Sequence, residues 1–206
     1  MTVRRLRPPL HTLLAVAVAA AALLAGCGSS SSGDGGTGGE GGEPDYDRAL
    51  AGAPPQLAAL HAQANELLDG GQDAYEARVA KLTGAGYPVV ANVWASWCGP
   101  CRLEVPYFQR SAAKHGKRVA FLGIDRQDSD DAALTFLREE PVPYPSYRDP
   151  DEAISTSIGA QLGMPDTAFY DRGGELTYLK QGPYETIAEL EADIRRHALA
   201  GTAESG

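Results

Sequence analysis

The sequence predicts an α/β sandwich, and three observations carry that prediction. A nearly continuous apolar run, Pro88 to Trp94, has the length and composition of a strand buried on both faces. A second such run, Arg118 to Ile124, follows an intervening helical stretch. Helical segments and strands then lead to a hairpin-turn signal, Asp171-Arg172-Gly173-Gly174, and a closing amphipathic helix. The 206 residues suffice for one domain and some appended sequence. With 22% charged and 43% hydrophobic residues and three cysteines, a wholly disordered chain, a disulfide-dense scaffold and a collagen-like repeat are excluded.

At the N-terminus Arg4, Arg5 and Arg7 precede an uninterrupted apolar run, Leu13 to Ala25. It falls short of the roughly 20 residues that span a bilayer core, so residues 1–26 read as a secretory signal. The run closes on Leu24-Ala25-Gly26-Cys27 and a serine stretch. On these residues the chain resembles bacterial lipoprotein precursors. That resemblance implies an acylated Cys27 as the first residue of the mature protein and attachment to a lipid membrane; a cleaved signal with an incidental cysteine is the alternative. Residues 27–50, rich in Gly and Ser as far as Pro44, are expected to form a flexible tether. The residues after 26 hold 15 basic and 27 acidic side chains. That balance argues against a nucleic-acid surface, which needs clustered Lys and Arg.

The folded part follows in order. Leu57, Leu60, Ala64, Leu67 and Leu68 recur at helical spacing, with Gly70-Gly71 as the stop. Tyr75, Val79 and Leu82 mark another helix, and residues 51–86 together form an N-terminal helical extension that either covers a sheet edge or simply lengthens the domain. The domain proper is placed at 87–200, with a flexible tail at 201–206. After the first strand a helix begins near Cys98 with Pro100 in its first turn, and Pro106 is expected to kink or divide it before Phe108. Asp130 to Glu139 is a helix with Ala133, Leu134 and Leu137 on its apolar face, and Ile154 to Leu162 a shorter one. Strands Thr167 to Tyr170 and Leu176 to Leu179 flank the turn, and Ile187 to Leu199 closes the chain as a helix through Ile187, Leu190 and Ile194. Asp125, Asp128, Asp130 and Asp131 look calcium-like but lack the required loop spacing and central glycine, so they read as a strand end and a helix start.

Chemistry concentrates in Trp94-Ala95-Ser96-Trp97-Cys98-Gly99-Pro100-Cys101. Two cysteines three residues apart at a strand-to-helix junction can close a disulfide within one turn, and a helix N-terminus favours the thiolate that exchange requires. Cys98 is the expected solvent-facing nucleophile, and Cys101, one turn inward, resolves the mixed disulfide. Zinc fits poorly, because no second cysteine pair exists and the four histidines are dispersed. An inert structural disulfide stays open as a rival. Glu104, three residues after Cys101, lies on nearly the same helix face. If packing shields it, its raised proton affinity lets it exchange a proton with a cysteine; an exposed helical Glu is the alternative.

The stretch Trp97-Cys98-Gly99-Pro100-Cys101 with Glu104 and Pro106 resembles the thioredoxin superfamily, and within it the TlpA/ResA/CcmG-like membrane-tethered thiol-disulfide oxidoreductases, over Pro88 to Leu199. The resemblance implies a thioredoxin-like sandwich with a central mixed β-sheet flanked by helices. It also implies exchange with protein thiols or disulfides and no diffusible cofactor. It casts Gly163-Met164-Pro165 as a cis-proline loop set against the cysteine pair, with the Met164 backbone offered to an extended polypeptide. Trp97 presents apolar surface to a substrate, and Gly99 and Pro100 tune the pair by shaping the helix start. Asn92 stands where cytoplasmic thioredoxins bury an aspartate, so acid-base work moves to Glu104, and Asp166 departs from their Pro-Thr sequence. The implied setting is the extracytoplasmic face of a bacterial membrane, with a monomeric soluble domain, a membrane electron-transfer partner and apocytochrome c among the partners. An oxidant for exported proteins and a non-enzymatic binding module are the competing readings.

Overall fold

Six strands form one sheet in the order β1-β4-β3-β2-β5-β6 in the computed structural model, which describes residues 42–200. Residues 1–41 and 201–206, and with them the signal, Cys27, most of the tether and the tail, lie outside the described residues. The central strand β2 (Val89–Trp94) runs parallel to β3 (Ala120–Arg126) and antiparallel to β5 (Asp166–Tyr170). β4 (Ser146–Asp149) continues the parallel side out to a two-residue edge strand, β1 (Leu67–Leu68), while β6 (Leu176–Gln181) pairs antiparallel with β5. The sheet is therefore mixed, as the resemblance implies.

Alternation along β2 divides the core. Val90 and Trp94 join Phe108, Phe121, Phe136, Phe169, Leu190 and Ile194 on the face covered by α4 (Gly99–His115), α5 (Asp130–Glu139) and α7 (Ile187–Asp193). Val89, Ala91 and Val93 pack with Leu57, Leu60, Tyr75, Val79 and Leu82 under α2 (Pro55–His61) and α3 (Gly71–Gly84). Tyr144, Tyr147 and Tyr170 are buried in these layers as packing residues. Gly123 in β3 has no room for a side chain: a Cβ there would lie 2.0 Å from Ser146 Oγ and 2.7 Å from Trp94 Nε1. Its absence leaves room for Trp94 to donate to Ser146 Oγ at 3.1 Å.

Several expectations are corrected. The tether does not run to residue 50, because Tyr46–Leu50 is a helix, α1, capped by Asp45 and fixed by Tyr46 Oη donating to Pro141 O at 3.2 Å. The helix over Leu57 to Leu68 stops at His61; Asn65 adopts a left-handed conformation (φ 61°) and its Oδ1 accepts from Val142 N at 2.7 Å. Leu67 and Leu68 thereby enter the sheet, so residues 51–86 are not wholly helical. Strand β4 is an addition to the expected elements, since Ser146–Asp149 carries no strand pattern of its own. Helix α4 is continuous through Pro106, because its buried face, including Phe108 and Ala112, spans the proline. Helix α6 (Ala153–Ser157) stops short of Leu162, and the last helix changes at Ile194 to a π-helical turn, Ile194–Ala198.

Candidate redox site

Strand β2 delivers the chain to Cys98, the N-cap of α4. Its sulfur accepts from the Cys101 backbone N–H at 3.2 Å, so it sits on the positive end of a 17-residue helix. Cys98 and Cys101 form a disulfide with Cα atoms 5.3 Å apart. Cys98 is only 4% exposed, so the solvent-facing expectation needs correction: it meets solvent through a cleft of about 360 Å³, lined also by Trp97, Gly99, Pro100, Arg126, Gln127, Gly163 and Met164. Cys101 is 1% exposed and does not line that cleft.

The cleft's far wall is the loop before β5. The Met164–Pro165 peptide bond is cis, and Met164 O lies 3.9 Å from Cys98 Sγ. Antiparallel pairing of β5 with β2, Val93 opposite Asp166, brings this loop beside the start of α4 although 66 residues separate Met164 from Cys98. On the near wall Trp97 is 60% exposed, and its Nε1 donates to Gln127 O at 3.0 Å. Trp94 packs inside against Phe136. Space beyond Gly99 is open, so no close approach demands a glycine there.

Glu104 is buried. Its Oε1 accepts from Asn92 Nδ2 at 2.9 Å and its Oε2 from the Tyr184 backbone N–H at 3.0 Å. Loss of hydration outweighs these two bonds and pushes the carboxyl up to about 7. Asn92 thereby finds its buried partner in Glu104 itself. Two further carboxyls were missed as site features. Asp166, directly after the cis proline, is buried, takes Gly182 N on one oxygen at 3.2 Å and leaves the other without a partner; burial raises its pKa. Asp125 in β3 is also buried, with one unpartnered oxygen, and burial followed by the nearby Asp128 pushes it up to about 7. The acid cluster itself meets backbone N–H groups and a cation: Asp128 accepts from Ser96 N and Ser129 N, and Asp130 accepts from Arg148. Among the described residues no helix is long and apolar enough to cross a membrane.

A redox-active cysteine pair, an apolar lip and a backbone carbonyl beside the sulfur are the parts needed for thiol-disulfide exchange with a polypeptide. Comparisons with known proteins agree. A Redoxin family model matches residues 61–194. The thiol:disulfide interchange protein DsbE of Pseudomonas fluorescens biotype C is 39% identical over 90 residues, 43% of this chain and 48% of that protein. DsbE of Escherichia coli K12 is 35% identical over 139 residues, 67% of this chain and 69% of its own. Among solved structures, MTB dsbF, seen in mixed oxidized and reduced forms, superposes with a TM-score of 0.50 at 28% identity, covering 54% of this chain and 81% of that one. The chain thus spans about half the length of the first of these relatives and just over two thirds of the second.

Proposed function

The chain belongs to the redoxin family, and on that premise we propose that it is an extracytoplasmic thiol-disulfide oxidoreductase that reduces disulfides in exported polypeptides. The observation that carries this reading is the Cys98–Cys101 disulfide at the mouth of α4, with Met164 O 3.9 Å from Cys98 Sγ. In the reduced enzyme the Cys98 thiolate, favoured by the helix N-terminus, attacks one sulfur of a substrate disulfide; a mixed disulfide forms and the other substrate sulfur leaves as a thiolate. The Cys101 thiolate then attacks Cys98 Sγ, and the second substrate sulfur departs. Two electrons pass to the substrate, and the enzyme's pair is left oxidised.

Glu104, which burial brings to about 7 so that acid and carboxylate are both populated near neutral pH, accepts or returns the Cys101 proton as that sulfur changes state. Trp97 supplies an apolar lip, and the Met164 backbone pairs with the extended substrate. Pro100 and Gly99 shape the first turn of α4. A membrane electron-transfer partner re-reduces the pair, and apocytochrome c is the substrate we infer from the family resemblance. In the same reading Cys27 carries lipid, residues 27–44 tether the domain, and the monomeric domain works on the outer face of the membrane.

The test is the reduction potential of the pair in a soluble form lacking residues 1–27, by thiol quantification in defined redox buffers. A value near about −270 mV supports a reductant, and one near about −120 mV turns the reading to an oxidant. A pair that does not cycle refutes both. A Cys101→Ser variant is expected to accumulate a mixed disulfide through Cys98, visible by mass spectrometry and reversed by reductant.

A further inference from the structure

Arg126 is a buried cation at the edge of the redox cleft, and its bonds run in two directions. Nε donates to Glu152 Oε2 at 2.8 Å, with Nη2 on the same oxygen. Nη1 donates to Gly163 O at 2.8 Å and Ala160 O at 3.3 Å, the segment that leads into Met164 and Pro165. The next residue, Gln127, donates through Nε2 to the other oxygen of Glu152 at 2.5 Å, while its carbonyl receives Trp97 Nε1. Asp128 Oδ2 accepts from Ser96 N at 2.6 Å, on the turn that leads into Cys98.

Three consecutive residues, the last of β3 and the two after it, therefore reach both walls of the cleft, and Glu152 ties two of them together. Gln127 (φ 52°) and Glu152 (φ 62°) both hold left-handed backbone conformations, which residues bearing side chains adopt rarely. Neither is a surface accident: each places a side chain on the other. A planar guanidinium is suited to this post, because its flat fork holds a carboxylate along one edge and a backbone carbonyl along another, whereas an ammonium directs its three donors from one compact centre and cannot make the paired, parallel contact.

We propose that Arg126, Gln127, Asp128 and Glu152 form a clamp that sets the spacing between the Trp97 wall and the Met164–Pro165 wall, and that this spacing selects extended polypeptide disulfides over small ones. Arg126 and Glu152 are positioning residues, since neither touches a sulfur. The inference rests on the exchange activity proposed above and adds the residues that fix its substrate class. A polypeptide engages both walls, so its KM depends on their separation. A small disulfide needs only Cys98.

The test compares wild type with Glu152→Gln, Arg126→Lys and Arg126→Met, using a disulfide-bonded peptide and oxidised dithiothreitol's open-chain analogue, hydroxyethyl disulfide. Glu152→Gln is the primary variant, because its partly exposed side chain can change without leaving a buried hole. The peptide KM is expected to rise about tenfold, equivalent to about 1.4 kcal/mol, with kcat and the hydroxyethyl disulfide rate changed less than about twofold. Arg126→Lys should lie between wild type and Arg126→Met in peptide KM, since it keeps the charge and loses the fork. Thermal melts show which variants are folded. A folded Glu152→Gln with unchanged peptide KM, or with equal loss on both substrates, overturns the clamp. Wild type inactive on both substrates overturns the exchange reading as well, and is told apart because no variant comparison is then needed.

Discussion

Replacing Glu104 by Gln removes the charge at the centre of the site and little else. The Gln carbonyl can accept from Tyr184 N, and Asn92 can turn its amide to accept from the new NH2 group, so the two hydrogen bonds of the carboxylate are kept. The magnitude follows from proton binding. The carboxyl rises from 4.5 to about 7 in the folded protein, which at about 1.4 kcal/mol per pH unit is about 3 kcal/mol. The folded state binds this proton more tightly than the unfolded state, so stability falls as pH rises. The contribution is fully present below about pH 4.5 and is lost by the time pH has passed about 7. Asp125 and Asp166 move in the same direction, so the wild-type curve alone is ambiguous. The difference between Glu104→Gln and wild type isolates one group. Urea unfolding of the oxidised proteins from pH 4.5 to 8 should show the variant gaining on wild type by up to about 3 kcal/mol over this span and then levelling. A difference that stays flat between pH 5 and 8 refutes the reasoning.

The same variant should shift the pH dependence of peptide exchange, read from initial rates between pH 5.5 and 8.5; an unchanged profile removes Glu104 from the proton path. Asp125→Asn should raise the melting temperature at pH 8 and leave it nearly unchanged at pH 4, because the charged form of a buried carboxyl with an unpartnered oxygen is what destabilises wild type; a gain of about 2–4 °C per kcal/mol is expected for a domain of this size. Gly123→Ala should cost about 1–3 kcal/mol in denaturant titration, since its Cβ lands on Ser146 Oγ and Trp94 Nε1.

How far the sequence reached depends on where the information lies. Val89–Trp94 and Asp130–Glu139 were legible because burial on two faces and an amphipathic stripe each leave a local pattern. Ser146–Asp149 has no such pattern; it becomes a strand because β3 and Leu67–Leu68 supply partners on both sides, and Asp149 then spends its carboxylate on Ile154 N and Ser155 N. Leu67 and Leu68 keep helical spacing with Leu57 and Leu60, yet the turn at Asn65 overrides it. In the site the cysteine pair, Glu104 and the cis-proline loop stood out as motifs. Arg126 and Glu152 did not, because an ion pair across 26 residues has no spacing to recognise until the sheet is built.

The two rims of the sheet have a consequence for traffic. One rim is a strand of two residues. The other, β6, carries a register irregularity against β5, stacks Tyr178 under His197 and folds the Lys180 ammonium back onto the carbonyls of Gln181, Gly182 and Pro183. Short, irregular or charged borders are poor templates for an incoming chain. For a protein that handles extended polypeptides, as proposed, this leaves the groove at Cys98 as the favoured berth: a client is lodged between its two walls, captured through sulfur and set free by sulfur.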